Sequence, residues 1–162
     1  QPYGTEALST LRIEMGHVAA SELDGRTIPY DNSLEGLVSK KKDFIGKRSL
    51  TRQAFSADDR QRLVGVVPLD KKTSIPEGSH LVKDKNAQFP NPKLGYISAS
   101  CWSVEYDNPF SLAILKNGKN MIGEKLFVMS PVKNKIIPVE IVSSHYVDPK
   151  GERVRSWFQN LH

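Results

Sequence analysis

Two spacings of apolar residues divide this chain near Ala57. Before that point the spacing is helical. "TEALSTLRIEM" places Leu8, Leu11 and Met15 on one face at three- to four-residue intervals, and Gly16 follows as a stop. "DGRTIPYDNS" is a turn-rich connection. Asn32 stands three residues before Glu35, the spacing of a capping box, and predicts a second helix carrying Leu34, Leu37 and Val38. "DFIGKRSLTRQAF" predicts a turn at Gly46 and a third helix, and the polar "SADDRQR" marks a boundary.

From Arg62 onward the pattern is that of strands. "RLVGVVPL" is a short β-branched run ended by Pro68, and "GSHLVKD" follows the turn signal "IPEG". "KLGYISASCWS", "FSLAILKNG", "GEKLFVMSP" and "KIIPVEIVSSHYVD" come next, separated by "EYDNP", "NGKN" and "PVKNK". Six short runs with Gly, Pro and Asn punctuation predict a small antiparallel barrel or sandwich, so with the helices before them the fold class is α+β. "DKNAQFPNPK" reads as a surface loop, and Trp102 and Trp157 read as core and tail anchors. Three short helices in residues 1–57 are too little to close a core alone. They are expected to pack on the barrel (60–150), on another chain, or on another part of a larger protein, with 151–162 as a tail.

Composition narrows the class. Hydrophobic residues are 38% and charged residues 25%, ordinary for a soluble globular protein. No apolar run approaches the roughly 18 residues of a membrane span, and the N-terminal residues lack the pattern of a signal peptide. One cysteine, Cys101, cannot form an internal disulfide, which points to a reducing compartment and so to the cytoplasm. The net charge is +5, and the densest basic stretch is "SKKKDFIGKRSLTR". Residues 1–57 carry 8 basic and 7 acidic side chains and the rest 15 and 11, so no basic stripe tracks a phosphate backbone. The cluster reads first as a solvated face, with a polyanionic cofactor tail or nucleic acid as the other readings.

Candidate chemistry is sparse. Gly-rich phosphate loops are missing, and His17, His80, His145 and His162 are scattered without ligand spacing, so no metal site is expected. Cys101 reads as a small hydrophobe in a strand. Arg12 and Glu14, two apart on a helix, face different directions. Arg12 reads as a pin to a neighbouring loop or as a carboxylate binder, Glu14 as a structural hydrogen-bonding partner. His17, just past Gly16, sits where a side chain projects from a helix end, either into a ligand cleft or into ordinary packing.

Taken together, "GTEALSTLRIEMGH", "SELDGRTIPYDNSLEGLV", "KKKDFIGKRSL", "LGYISASCWS…FSLAIL" and "SSHYVDPKGERV" resemble the C-terminal part of the aminomethyltransferase (glycine-cleavage T-protein) family. Within it the chain looks most like the folate-binding part of the sarcosine oxidase alpha subunit and of dimethylglycine dehydrogenases. The resemblance covers about residues 4–155. It implies a T-shaped module around tetrahydrofolate, with 1–57 the end of its middle domain and 60–150 its C-terminal barrel. It also implies a parent enzyme that oxidises sarcosine at a flavin, with flavin and NAD held outside this segment.

By the same resemblance, the acid/base and pterin-binding groups lie upstream of this chain, which carries no catalytic residue. Partners are then the rest of the folate module and the other sarcosine oxidase subunits, with a homo-oligomer also open and neither nucleic acid nor membrane expected. His17 matches a folate-contacting tyrosine of some transferases, and with Arg12 and Glu14 it forms the expected cofactor-binding set. Leu8 stands where transferases place a folate-contacting arginine, an apolar choice shared with the sarcosine oxidase branch. "DPKGERV" lacks the transferases' C-terminal tyrosine, and Val104 stands where proline is common, which implies a reshaped loop. Three other functional readings stay open. One is an aminomethyltransferase of the glycine cleavage system. Another is an interaction module that completes a folate site with a partner chain through Leu8, Leu11, Leu34 and Leu37. The last is a basic nucleic-acid-binding barrel.

Overall fold

A computed structural model describes residues 2–57, 59–86 and 92–159. The elements run α1 (Thr5–Glu14), α2 (Gln53–Ser56), β1 (Gln61–Pro68), β2 (His80–Val82), β3 (Gly95–Ser103), β4 (Asn108–Lys116), β5 (Lys125–Ser130), β6 (Lys135–Val142) and α3 (Glu152–Gln159). The six strands close into an antiparallel barrel in the order β1-β4-β3-β2-β5-β6. Each predicted run contains one of them. Asp107, Asn117 and Asn134 take positive φ in the β3–β4, post-β4 and β5–β6 turns, a conformation Asn and Asp tolerate better than other side chains.

Strand alternation sorts the apolar residues into two cores. Val64, Val66, Ala113, Leu115, Leu126, Val128, Ile137, Val139 and Ile141 point inward and fill the barrel together with Ile75, Leu81 and Ile97. Leu63, Val67, Phe110, Leu112 and Ile114 point outward from β1 and β4, where Ile13 of α1 covers them. β4 is therefore buried on both faces and reads as a continuous apolar run, whereas β5 and β6 alternate buried with exposed positions. A bulge between Ile97 and Ala99 flips the parity of β3, so Ile97 lies in the barrel and Ala99 under α1. Gly65 leaves room for the Phe110 ring: a Cβ there would lie 2.7 Å from a ring carbon and 2.4 Å from the Ser143 carbonyl oxygen.

Residues 1–57 hold less helix than their sequence predicts. Only α1 is long. Gly16 ends it at φ +69°, with the His17 N–H on the Arg12 carbonyl (2.8 Å) and the Gly16 N–H on the Ile13 carbonyl (3.0 Å), the Schellman arrangement. The helix expected after Asn32 is a single 3₁₀ turn, Glu35–Leu37. Asn32 caps nothing, because its side-chain amide donates to the Glu22 carbonyl and the next residue, Ser33, takes a positive φ. The third expected helix breaks into a 3₁₀ turn, Ser49–Thr51, and the four-residue α2.

The segment is instead strapped to the barrel by polar contacts. Arg60 donates from Nε and Nη2 to the two oxygens of the fully buried Asp31, at 2.9 and 2.6 Å. The Leu63 N–H donates to the Asp31 carbonyl at 2.7 Å.

Two further expectations meet the structure at the edges of the barrel. Trp102 is 47% exposed, not core, because it pairs with Pro109 on a stretch of the β3–β4 hairpin that no other strand flanks, and its indole N–H donates to Asp107. Residues 152–159 of the tail form α3, capped by Asp148, whose carboxylate accepts the N–H groups of Glu152 and Arg153. The Trp157 side chain and the centre of the 84–93 loop lie outside the described residues.

Candidate functional site

The C-terminal end of α1 is the point where three parts of the chain meet. The Glu14 carbonyl accepts the N–H groups of Tyr146 and Val147 after β6. Its buried carboxylate accepts the Ser103 hydroxyl at 2.6 Å and, more weakly, the Glu105 N–H at 3.4 Å. Glu14 thus ties the helix end to the β3–β4 hairpin. Arg12 donates from Nη1 to the Glu22 carboxylate and to the His17 carbonyl, each at 3.2 Å. Glu22, 1% exposed, also accepts the Ala19 N–H and the Ser21 hydroxyl, so it is the anchor of the loop that leaves the helix. Arg12 and Glu14 have protein partners on either side of the helix end. The His17 side chain, beyond the Gly16 turn, is exposed.

Beside this junction α1 carries two exposed leucines. Leu8 and Leu11 are 54% and 52% exposed, on the side of α1 turned away from the barrel. On the far side of the helix end, Tyr146 stacks on Phe110 with ring centroids 4.2 Å apart and meets Tyr106 at 4.6 Å, while its hydroxyl bonds Asn108. Sequence reasoning missed this aromatic cluster. Its members lie 36 to 40 residues apart or in a loop, and only the closure of β1 between β4 and β6 brings them together.

A second feature absent from the sequence reading is a cleft of about 770 Å³ between residues 26–60 and the outer face of β3 and β4. Arg26, Arg60, Lys93, Tyr96 and Lys116 line it. Three of its cations are matched internally: Arg26 by Asp24, Arg60 by Asp31, and Lys116 by Asp59 at 3.7 Å. The Tyr96 hydroxyl is pushed above its ordinary pKa, chiefly by burial. Cys101 packs against the outer core, and burial, aided by the nearby Glu14 charge, pushes its thiol up to about 12. At neutral pH it is a thiol and a poor nucleophile.

Among the described residues, no three His, Cys, Asp or Glu side chains gather as a metal site, and no helix is long and apolar enough to cross a membrane.

The family model of the glycine cleavage T-protein C-terminal barrel domain matches residues 61–148, from the first residue of β1 to the residue that caps α3. The sarcosine oxidase subunit alpha of Rhizobium meliloti (strain 1021) is 41% identical over 94% of this chain, which spans 16% of that protein. The aminomethyltransferase of Chloroherpeton thalassium is 28% identical over 78% of the chain and 33% of its own length. A crystal structure of the glycine cleavage system aminomethyltransferase T from Bartonella henselae superposes with a TM-score of 0.71. It is 20% identical, over 88% of this chain and 38% of that one, and so shares the fold. With the barrel model covering more than half of its residues, the chain belongs to the glycine cleavage T-protein family and carries that family's C-terminal barrel domain.

Proposed function

We propose that this chain is the C-terminal part of a tetrahydrofolate-dependent one-carbon module in a subunit of the sarcosine oxidase alpha type. The observation that carries the reading is the 41% identity to a sarcosine oxidase alpha subunit along 94% of the chain, against 28% to an aminomethyltransferase. The parent enzyme oxidises the N-methyl group of sarcosine at a flavin in another subunit. Flavin and NAD are held elsewhere in that complex, in the cytoplasm, and the one-carbon product passes to the folate module.

The residues present fit one wall of a folate pocket. Leu8 and Leu11 supply exposed apolar surface beside the helix end, and His17 supplies a side chain able to stack on a ring or to hydrogen-bond. Bound tetrahydrofolate supplies the nitrogens that take up the one-carbon unit. Within this chain His17 orients the cofactor. Arg12 and Glu14 act as positioning residues: through Glu22 and Ser103 they fix the helix end from which His17 projects. The remaining wall belongs to the part of the parent outside this chain.

The test is calorimetric titration of the chain with tetrahydrofolate, with His17→Ala alongside. The expected result is saturable binding that the substitution weakens about tenfold, the worth of one good polar contact. Absence of binding at millimolar cofactor, or a variant that binds as the parent does, refutes the assignment.

A further inference from the structure

Arg62, the second residue of β1, has a guanidinium that the rest of the chain leaves incompletely bonded. Its side chain is 17% exposed. Among the described residues, four buried side-chain nitrogen or oxygen atoms have no hydrogen-bond partner, and Arg62 Nη1 is the one that belongs to a permanently charged group. Its neighbours do not complete it. The Tyr30 ring centre lies 6.0 Å from the guanidinium carbon, and the Glu35 carboxylate stops 3.7 Å from Nη2, beyond hydrogen-bond distance. A desolvated guanidinium with an idle N–H is costly to fold, and so calls for an acceptor that the chain itself does not supply.

Arg62 lines a pocket of about 230 Å³ to which separate segments contribute polar groups. The turn after β4 adds Lys119, which takes part in none of the ion pairs among the described residues. The segment after β6 adds Ser143, Ser144 and His145. The His145 N–H donates to the Ser143 oxygen at 3.3 Å, which leaves the Ser143 hydroxyl its proton to give. The Ser144 hydroxyl and His145 Nδ1 share one bond at 3.3 Å, which engages one ring nitrogen only. The loop before β1 adds Glu35 and Ser33, whose hydroxyl already donates to the Leu63 carbonyl. The lining thus carries two fixed positive charges against one negative, with hydroxyls and an imidazole beside them.

We infer that this pocket binds a tetrahedral oxyanion, a phosphate group, with Arg62 as its principal ligand and Lys119, Ser143 and His145 as the groups around it. Guanidinium, ammonium and hydroxyl donors are the chemistry that recognises phosphoryl oxygens. Here they come from β1, from the turn after β4 and from the segment after β6. Donors on separate segments suit oxygens at tetrahedral corners better than the two coplanar oxygens of a carboxylate. The pocket is smaller than those that enclose drug-sized ligands, so the phosphate group alone enters it. Glu35 opposes binding and keeps it reversible. The site includes none of Arg12, Glu14 and His17, so its failure would leave the folate reading as it stands.

The test is titration of the isotope-labelled chain with inorganic phosphate at fixed ionic strength, followed through backbone amide shifts. Expected are saturable shifts confined to the loop before β1, the start of β1, the turn after β4 and the segment after β6. Affinity should fall about tenfold in Arg62→Met and about threefold in Lys119→Gln, and rise about threefold in Glu35→Gln. Lys119 and Glu35 are exposed, so those two variants keep the fold whatever Arg62→Met does to it. Glycerol phosphate, titrated in parallel, separates the sources of the group. Equal or weaker binding of the ester assigns the free ion, and tighter binding assigns the phosphoryl end of a larger molecule. Three results overturn the proposal: no saturation at tens of millimolar phosphate, acetate binding as tightly as phosphate, or an affinity unchanged in both Lys119→Gln and Glu35→Gln.

Discussion

Asp31→Ala tests how residues 1–57 are held on the barrel. Asp31 is 0% exposed and its carboxylate receives three hydrogen bonds: two from Arg60, at 2.9 and 2.6 Å, and the Ile28 N–H at 3.1 Å. Removal of one member of a buried ion pair costs about 3–5 kcal/mol, because the other charge is left without compensation. Arg60 softens that figure. Its side chain keeps 19% exposure, Nη1 still donates to the Ala54 carbonyl, and the guanidinium lies 5.3 Å from the Phe55 ring centre. A cost of about 3 kcal/mol follows, at the low end of the range.

For a domain of this size each kcal/mol moves Tm by about 2–4 °C, so Asp31→Ala should melt about 6–12 °C below the parent. Calorimetry and circular dichroism measure the shift. Arg60→Ala and the double variant complete a cycle, in which the double variant loses less than the sum of the singles by about 1–3 kcal/mol. A melting point within 1 °C of the parent, or strict additivity, would refute the view that this pair clamps the segment to the barrel.

Two more outcomes follow from the packing. Gly65→Ala drives a methyl group into the Phe110 ring and the Ser143 carbonyl, and neither the backbone oxygen nor the stacked ring can yield cheaply. A loss of about 2–3 kcal/mol in urea unfolding is expected, and a neutral variant would mean that β1 and β6 are looser than described. Cys101 is held neutral by burial, with its thiol pushed up to about 12 from an ordinary 9.0. Because the folded state ionises later than the unfolded one, its contribution to stability is complete below about pH 9 and is lost as pH rises toward 12. Iodoacetamide at pH 8 should modify the native chain far more slowly than the urea-unfolded chain, and equal rates would contradict the burial.

What was legible in the sequence was what local physics decides. The six strands were read because β-branched runs and Gly, Pro and Asn turns act within a few residues, and each run holds one strand of the barrel. Gly16 was read as a helix stop because a positive φ is a property of that one residue. The family was read from the order and spacing of several segments, and the T-protein barrel match runs over residues 61–148.

The capping-box reading at Asn32 failed because it is a local rule overruled by distant partners. Asp31 is claimed by Arg60 from 29 residues away, and Asn32 by the Glu22 carbonyl, so the chain there follows the barrel wall instead of a helix axis. The exposure of Trp102 depended on which strands flank it, and neither β1 nor β2 pairs alongside that end of the β3–β4 hairpin. Arg12 and Glu14 were visible as candidates, but only the folded chain assigns each its partner, Glu22 and Ser103. The same holds for the basic cluster. Six cations lie close along the chain by sequence, but only the fold turns Lys47 onto the Lys40 and Lys42 carbonyls and the Asp43 carboxylate.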